Sequence, residues 1–191
     1  MLAAVVLLPR PAFAQEDAAW FLLGAGIEFG LHEAGHVAAD LAFGVPPGVQ
    51  TVTFGPFPFF AITHDPVSPA REFTISSAGF WSQFLTSEII LTRHPDLRRE
   101  HAPLLKGMLA FHVLASAGYG IAAAAQAGPA ERDTRGMAVS ARIREPVVGA
   151  IVIAPAALDA LRYYFPERAW LRWASRAAKA GSVLLVVRAA Q

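Results

Sequence analysis

An all-α fold is what this sequence predicts: a multi-pass transmembrane helical bundle of about four spans, with a short β-hairpin-like insertion after its first main helix. Three observations predict it. Of the 191 residues, 54% are hydrophobic and only 16% charged, against about 45–50% and about 25% in soluble domains, and the mean hydropathy is +0.41. Four apolar stretches each approach the roughly 20 residues a spanning helix needs. Between the first two lies a segment broken by Pro and Gly whose residues alternate as strands do.

Residues 1–14, "MLAAVVLLPRPAFA", combine a short apolar run with an A-x-A-like site but lack a basic leader. They read equally as an export signal and as a retained apolar tail. The first long stretch covers residues 18–43, and Pro46-Pro47-Gly48 stops it. "VQTVTFG" and "FFAITH" then form two candidate strands around Gly55, Pro56 and Pro58. The further apolar stretches are 73–92, 104–127 and 147–165. In the C-terminal piece, Arg168, Arg172, Arg176 and Lys179 recur at helical spacing beside Trp170 and Trp173. That pattern suits a helix lying in the membrane surface or one on the outside of a soluble domain. No repeat or linker divides residues 15–191, so they form one domain.

Arg93, Arg98, Arg99 and Lys106 crowd the connection between the second and third stretches. The positive-inside rule turns that connection and the basic C-terminal piece toward the cytoplasm, and the loop with Arg71 away from it. A cleaved leader would require one of the four stretches not to span. The net charge of +1 gives no reason to expect a nucleic-acid partner, and the absence of Cys excludes disulfides and thiolate metal sites. Any metal must be held by His and carboxylate.

The first stretch carries His32-Glu33-Ala34-Gly35-His36, an H-E-x-x-H pattern. Residues four apart share a helix face, so both imidazoles can reach one ion. Zn2+ accepts His nitrogens and keeps a fourth position open. Glu33, about 100° round the helix from His32, would stand beside the ion and take a proton from the water it activates. Each charge near a span's centre costs about 2.5–3.5 kcal/mol on insertion scales, so such residues usually face a cavity and carry function. Two soluble zinc-protease patterns fail. One needs Gly and His at positions 39 and 42, where both residues are Ala, and the other needs a Glu-x-x-x-Asp helix, where Glu88 is followed by Thr92.

Three segments, "HEAGHVAADLAFGV", "VTFGPFPFF" and "VSPAREFTISSAGFW", follow one another in this order across residues 29–91. They resemble the site-2 protease family of intramembrane zinc metalloproteases, in which an H-E-x-x-H helix leads to a strand carrying "FGP" and then to an apolar helix bearing Ala-Gly-Pro. Phe80 stands where that family commonly has Pro. The resemblance implies a membrane-embedded metalloprotease-like domain, Zn2+ on His32 and His36, and Glu33 as catalytic base. It further implies peptide-bond hydrolysis in membrane-associated or membrane-spanning protein substrates, within a bilayer of the bacterial cytoplasmic-membrane type. The family's third ligand is an Asp in a later motif, typically followed by Gly. Asp133, with Gly136 close behind, is the chosen counterpart; Asp159, inside an apolar run after Pro155, is the alternative, and Glu88 a more distant one.

Glu28 and Asp40 extend the i+4 series of His32 and His36 and are candidate acceptors for imidazole N–H groups. His112, Ser76, Ser82 and Gln83 read as polar contacts between helices, and His64 as a loop residue. The rival function is a non-catalytic membrane protein that keeps such a fold as a binding or regulatory module.

Overall fold

A computed structural model describes residues 12–54 and 57–189, with side chains over 15–53 and 60–184. Residues 1–11 of the candidate leader lie outside the described residues, as do Gly55 and Pro56 of the "FGP" segment. The described chain is mostly helical, with one small antiparallel sheet: α1 Ala12–Ala42, β1 Gly48–Phe54, β2 Phe57–Thr63, α2 Pro69–Arg93, α3 Pro103–Ala125, α4 Asp133–Ala141, α5 Glu145–Tyr164 and α6 Ala169–Ala189.

The boundaries follow from local chemistry. Gly44, with φ +70°, turns the chain out of α1 while Val45 N–H donates back to the Asp40 carbonyl. This is the left-handed exit that glycine takes without a Cβ penalty. Proline occupies the first turn of α2, α3 and α5, where its missing N–H has no intrahelical partner to lose. β1 and β2 pair from Gly48↔Thr63 to Phe54↔Phe57, close to the strands expected from the alternating residues.

Contacts between helices give an up-and-down arrangement. Gly35 of α1 lies against Ala78 and Gly79 of α2; Phe80 meets Tyr119 while Phe84 meets His112, so α3 runs opposite to α2. Gly120 and Ala123 of α3 pack on Gly149 of α5, and Ser175 of α6 reaches Asp159 of α5. The C-terminal ends of α1 and α3, the hairpin, α4 and the N-terminal ends of α2 and α5 therefore gather at one end. Arg71, Arg132, Arg135, Arg142 and Arg144 all lie there. The charge bias read from the α2–α3 connection consequently does not distinguish the two ends.

Two helices, α3 and α5, are long and apolar enough to cross a membrane by length and composition, against the four spans expected. α1 is interrupted by Glu28, His32, Glu33, His36 and Asp40, and α2 by Ser, Thr, Gln83 and Glu88. Apolar clusters around Phe80, Phe84 and Val152 and around Ile90 and Leu97 form the core, but faces of α1, α3 and α6 bury polar residues and expose apolar ones, the reverse of a water-soluble bundle. The buried stripe of α1 is Gly24, Glu28, His32, His36 and Asp40. Leu114 and Ile121 of α3 are 70% and 67% exposed, while His112 and Ser116 on the same helix are fully buried. α6 repeats the pattern: Trp173 is 67% exposed and Lys179 only 8%. α6 therefore does not lie apart with its basic residues in a surface plane. Arg176 and Lys179 turn inward to Glu88, and Lys179 also to Asp159, because those carboxylates sit on the helices that α6 packs against.

A candidate metal centre

His32 and His36 project from successive turns of α1 toward α2 and α4. Their Nε2 atoms are 3.2 Å apart. Asp133, the first residue of α4, brings Oδ2 to 3.1 Å from His32 Nε2 and 3.4 Å from His36 Nε2. Among the described residues, this is the group of three His or carboxylate side chains whose donor atoms converge closely enough to hold one metal ion. Bonds of about 2.05 Å at a tetrahedral angle place ligand atoms roughly 3.3 Å apart, so the donor set has the right size for a small divalent cation. His36 Nδ1 donates to the Ile75 carbonyl at 2.8 Å, which orients the ring with Nε2 toward the other two donors.

The site depends on a missing side chain. A Cβ on Gly79 would lie 2.5 Å from His36 Nε2 and 2.7 Å from His32 Nε2. Glycine here leaves open the space in which the donor atoms meet. The adjoining Phe80 is fully buried and stands edge-on to the rings of His32 and Tyr119, with centroids at 5.4 and 5.0 Å. Its large ring walls one side of the pair, which gives the departure from Pro at this position a packing role. Tyr119 stacks on His32 with centroids 5.9 Å apart and brings its hydroxyl beside Asp133.

α4 is held where Asp133 can reach the imidazoles. Gly136 brings α4 directly against the Ser76 hydroxyl of α2, too close for any larger residue. On either side of Asp133, its neighbours bind one carboxylate of α5. Arg132 donates to both oxygens of Glu145, at 2.6 and 2.7 Å, and Thr134 donates to Oε1 at 2.9 Å. Arg132 is thereby engaged with Glu145, leaving Asp133 to the histidines. Burial alone would raise the Asp133 carboxyl, but the imidazoles of His36 and His32 hold it well below the usual carboxylate range.

A cavity of about 530 Å³ opens onto the three donors. Phe29, Phe111 and Tyr119 line it from the helices and Val52, Phe60 and Ile62 from the hairpin, and Glu33 stands in its wall beside the histidines. Volumes of about 300–1,000 Å³ are usual for sites that enclose small molecules or a few side chains.

The other polar residues go elsewhere. Asp159 receives Ser175 Oγ at 2.5 Å and Lys179 Nζ at 2.8 Å, with Arg162 and His112 each at 3.3 Å. Glu88 binds Arg162, Arg176 and Lys179 in the same network. Both alternatives for the third ligand are thus neutralised by fixed cations, and His112 serves as the contact between helices that its position suggested. His64, in the turn after β2, lies 3.5 Å from Glu72. Glu28 and Asp40 do not accept from the histidines: the partner of His36 Nδ1 is a backbone carbonyl, and both carboxylates are buried without a hydrogen bond. Gly79, Tyr119 and the Arg132–Glu145–Thr134 clamp are the parts of this centre that the sequence did not reveal. Compared with protein-family models, curated proteins and solved structures, the chain matches none.

Proposed function

We propose that this chain is an intramembrane zinc metalloprotease of the kind the site-2 protease family represents, with His32, His36 and Asp133 as metal ligands and Glu33 as catalytic base. One observation carries the reading. Two imidazole nitrogens and a carboxylate oxygen, from residues a hundred positions apart, meet at 3.1–3.4 Å in a space that only Gly79 leaves open. Support for a multi-pass bundle comes from helix faces that expose apolar and bury polar side chains; a membrane of the bacterial cytoplasmic type belongs to the same proposal. Leu22, Leu85, Leu114 and Ile121 point outward, whereas Glu28, Gln83, His112 and Asp159 are buried. In water that exchange would forgo the burial of apolar surface that stabilises a soluble core. In lipid it places each kind of surface in its matching medium.

When bound, zinc supplies Lewis acidity, which acidifies a water and polarises a carbonyl. The chain's residues do the rest. Phe29, Phe111 and Phe60 enclose the segment to be cut and exclude bulk water, so that charges near the donors interact strongly. The carboxylate of Glu33 takes the proton from the attacking water and delivers it to the departing amine nitrogen. Tyr119 and the Ile75 carbonyl hold the His32 and His36 rings in the orientation that directs both Nε2 atoms to one point. The substrate is a membrane-associated or membrane-spanning segment, unwound at the scissile bond so that its carbonyl enters the cavity.

The test is Glu33→Gln in the purified full chain, with metal content and cleavage of reconstituted transmembrane peptides measured side by side. Metal retained with cleavage lost supports the assignment. Cleavage by the variant at the wild-type rate would remove Glu33 from it. A second reading rests on the same atoms. With His32 Nε2 as donor, its N–H can be shared between His36 Nε2 and Asp133 Oδ2, which closes the cluster without an ion and suits a non-catalytic binding or regulatory module. Metal-free protein after purification and zinc titration would favour that reading.

A further inference from the structure

On the far side of α4 from the histidines, a second cavity of about 640 Å³ lies between the C-terminal end of α3, α4 and the start of α5. Its walls carry Arg135, Arg142 and Arg144 together with apolar Val139, Ile143 and Pro146. The carboxylate in that wall, Glu145, is already clamped by Arg132 and Thr134. Arg142 and Arg144 form no ion pair among the described residues, so the cavity has an uncompensated positive charge. Arg142 also holds φ +55° at the end of α4, a conformation that glycine adopts freely and arginine does not. A cation is kept where backbone geometry alone would select glycine.

The setting specifies the ligand. The cavity lies at the ends of α3 and α5, the two helices with the length and composition of spans. Exposed Ile121 of α3 and Val147 of α5 continue from that end along the outside of the bundle. A ligand matching this surface has a compact anion at one end and an apolar chain at the other. Two arginines are well suited to phosphate because the guanidinium fork offers paired donors to its oxygens.

We propose that this cavity binds the phosphodiester headgroup of an anionic phospholipid through Arg142 and Arg144, with Arg135 at the rim, while an acyl chain follows Ile121 and Val147. The bound lipid covers the outer face of α4 and presses the helix onto α2, so that lipid composition controls how firmly Asp133 is seated against the histidines. The inference rests on the membrane-embedded reading above.

The experiment uses the full chain in nanodiscs of phosphatidylcholine with or without phosphatidylglycerol, with retained lipid measured by native mass spectrometry. The wild type should retain phosphatidylglycerol over phosphatidylcholine, and Arg142→Gln/Arg144→Gln should lower that preference roughly tenfold or more. Arg93→Gln/Arg99→Gln, the same charge change at the opposite end, should leave it intact. Amide exchange over residues 133–142 should slow in phosphatidylglycerol for the wild type and not for the Arg142/Arg144 variant, whose unchanged circular dichroism establishes that it folds. Equal retention by that variant, or equal loss in both charge variants, overturns the proposal. Displacement of the lipid by millimolar inorganic phosphate also overturns it, since the cavity would then be a site for the free ion. Alkaline carbonate extraction separates the two levels. A chain that washes off membranes refutes the embedded reading itself, whereas one that stays and shows no lipid preference refutes only the lipid site.

Discussion

Asp133, partly buried, and Asp159, fully buried, both contact histidine and both sit against several helices, yet their surroundings differ in kind. Asp133 faces two imidazoles, has no Lys or Arg among its ion-pair partners and borders a cavity that reaches its partners. Asp159 faces Lys179, Arg162, Ser175 and His112 and does not line the cavity at the histidines. The first aspartate is opposed only by imidazole nitrogens, which can give up a proton and ligate a metal, the second by ammonium and guanidinium groups as well. A carboxylate opposed only by imidazoles retains the capacity to hold a cation, because those nitrogens exchange a proton for a metal; one already opposed by ammonium and guanidinium has spent it. By that criterion the first cluster is the candidate metal site and the second belongs to the scaffold.

The largest effect should come from the scaffold side. Asp159→Ala leaves Lys179 and Arg162 with Glu88 alone as their shared acceptor, and removing one member of a buried charge cluster costs about 3–5 kcal/mol. Thermal unfolding in detergent should show a fall of that order, with the metal-to-protein ratio of the surviving folded fraction unchanged. A variant of wild-type stability would mean that water or Glu88 compensates those cations, and the contrast between the clusters would narrow. On the metal side, Gly79→Ala puts a methyl group 2.5 Å from His36 Nε2. Zinc affinity should drop at least 100-fold, about 2.8 kcal/mol, by competition with a chelating dye. Unfolding should shift less than for Asp159→Ala, since the imidazoles and not backbone meet the new group. Wild-type affinity in this variant would place the ion outside the space between the three donors.

The two clusters also mark where sequence reasoning succeeds and where it stops. The spacing of His32 and His36 is local, and a helix converts it directly into a shared face. The hairpin was legible for the same reason, through alternation and the three breakers Gly55, Pro56 and Pro58. Asp133 and Asp159 could not be separated that way, because the choice depends on Gly136 packing against Ser76 and on where Lys179 and Glu88 come to lie, all of them distant in sequence. The C-terminal helix was legible only in part: Arg168 and Arg172 are exposed, but Arg176 and Lys179 look solvent-facing until the carboxylates of other helices are placed beneath them. Gly79 lay in view within the "SSAGF" segment, but an absent side chain announces nothing until its neighbours are known. The expected number of spans rested on apolar length alone, and α1 combines that length with buried charge and α2 with buried Ser and Gln, which composition cannot tell from a soluble helix.

A smaller effect tests whether the metal centre is held in place from outside. Glu145 touches neither histidine, yet it fixes the residues on both sides of Asp133 through Arg132 and Thr134. Glu145→Gln keeps one acceptor oxygen and loses both the charge and the second oxygen of the bidentate pair, so the start of α4 should loosen without detaching. Partners that orient a metal ligand typically alter affinity by about 10–100-fold, and the remaining hydrogen bond puts this variant near the lower figure, about 1.4 kcal/mol. The informative comparison is the double substitution. In an Asp133→Ala background, Glu145→Gln should produce no further loss of zinc affinity, because the residue it positions is gone. Additive losses would show instead that Glu145 acts on the histidines through the general stability of the bundle.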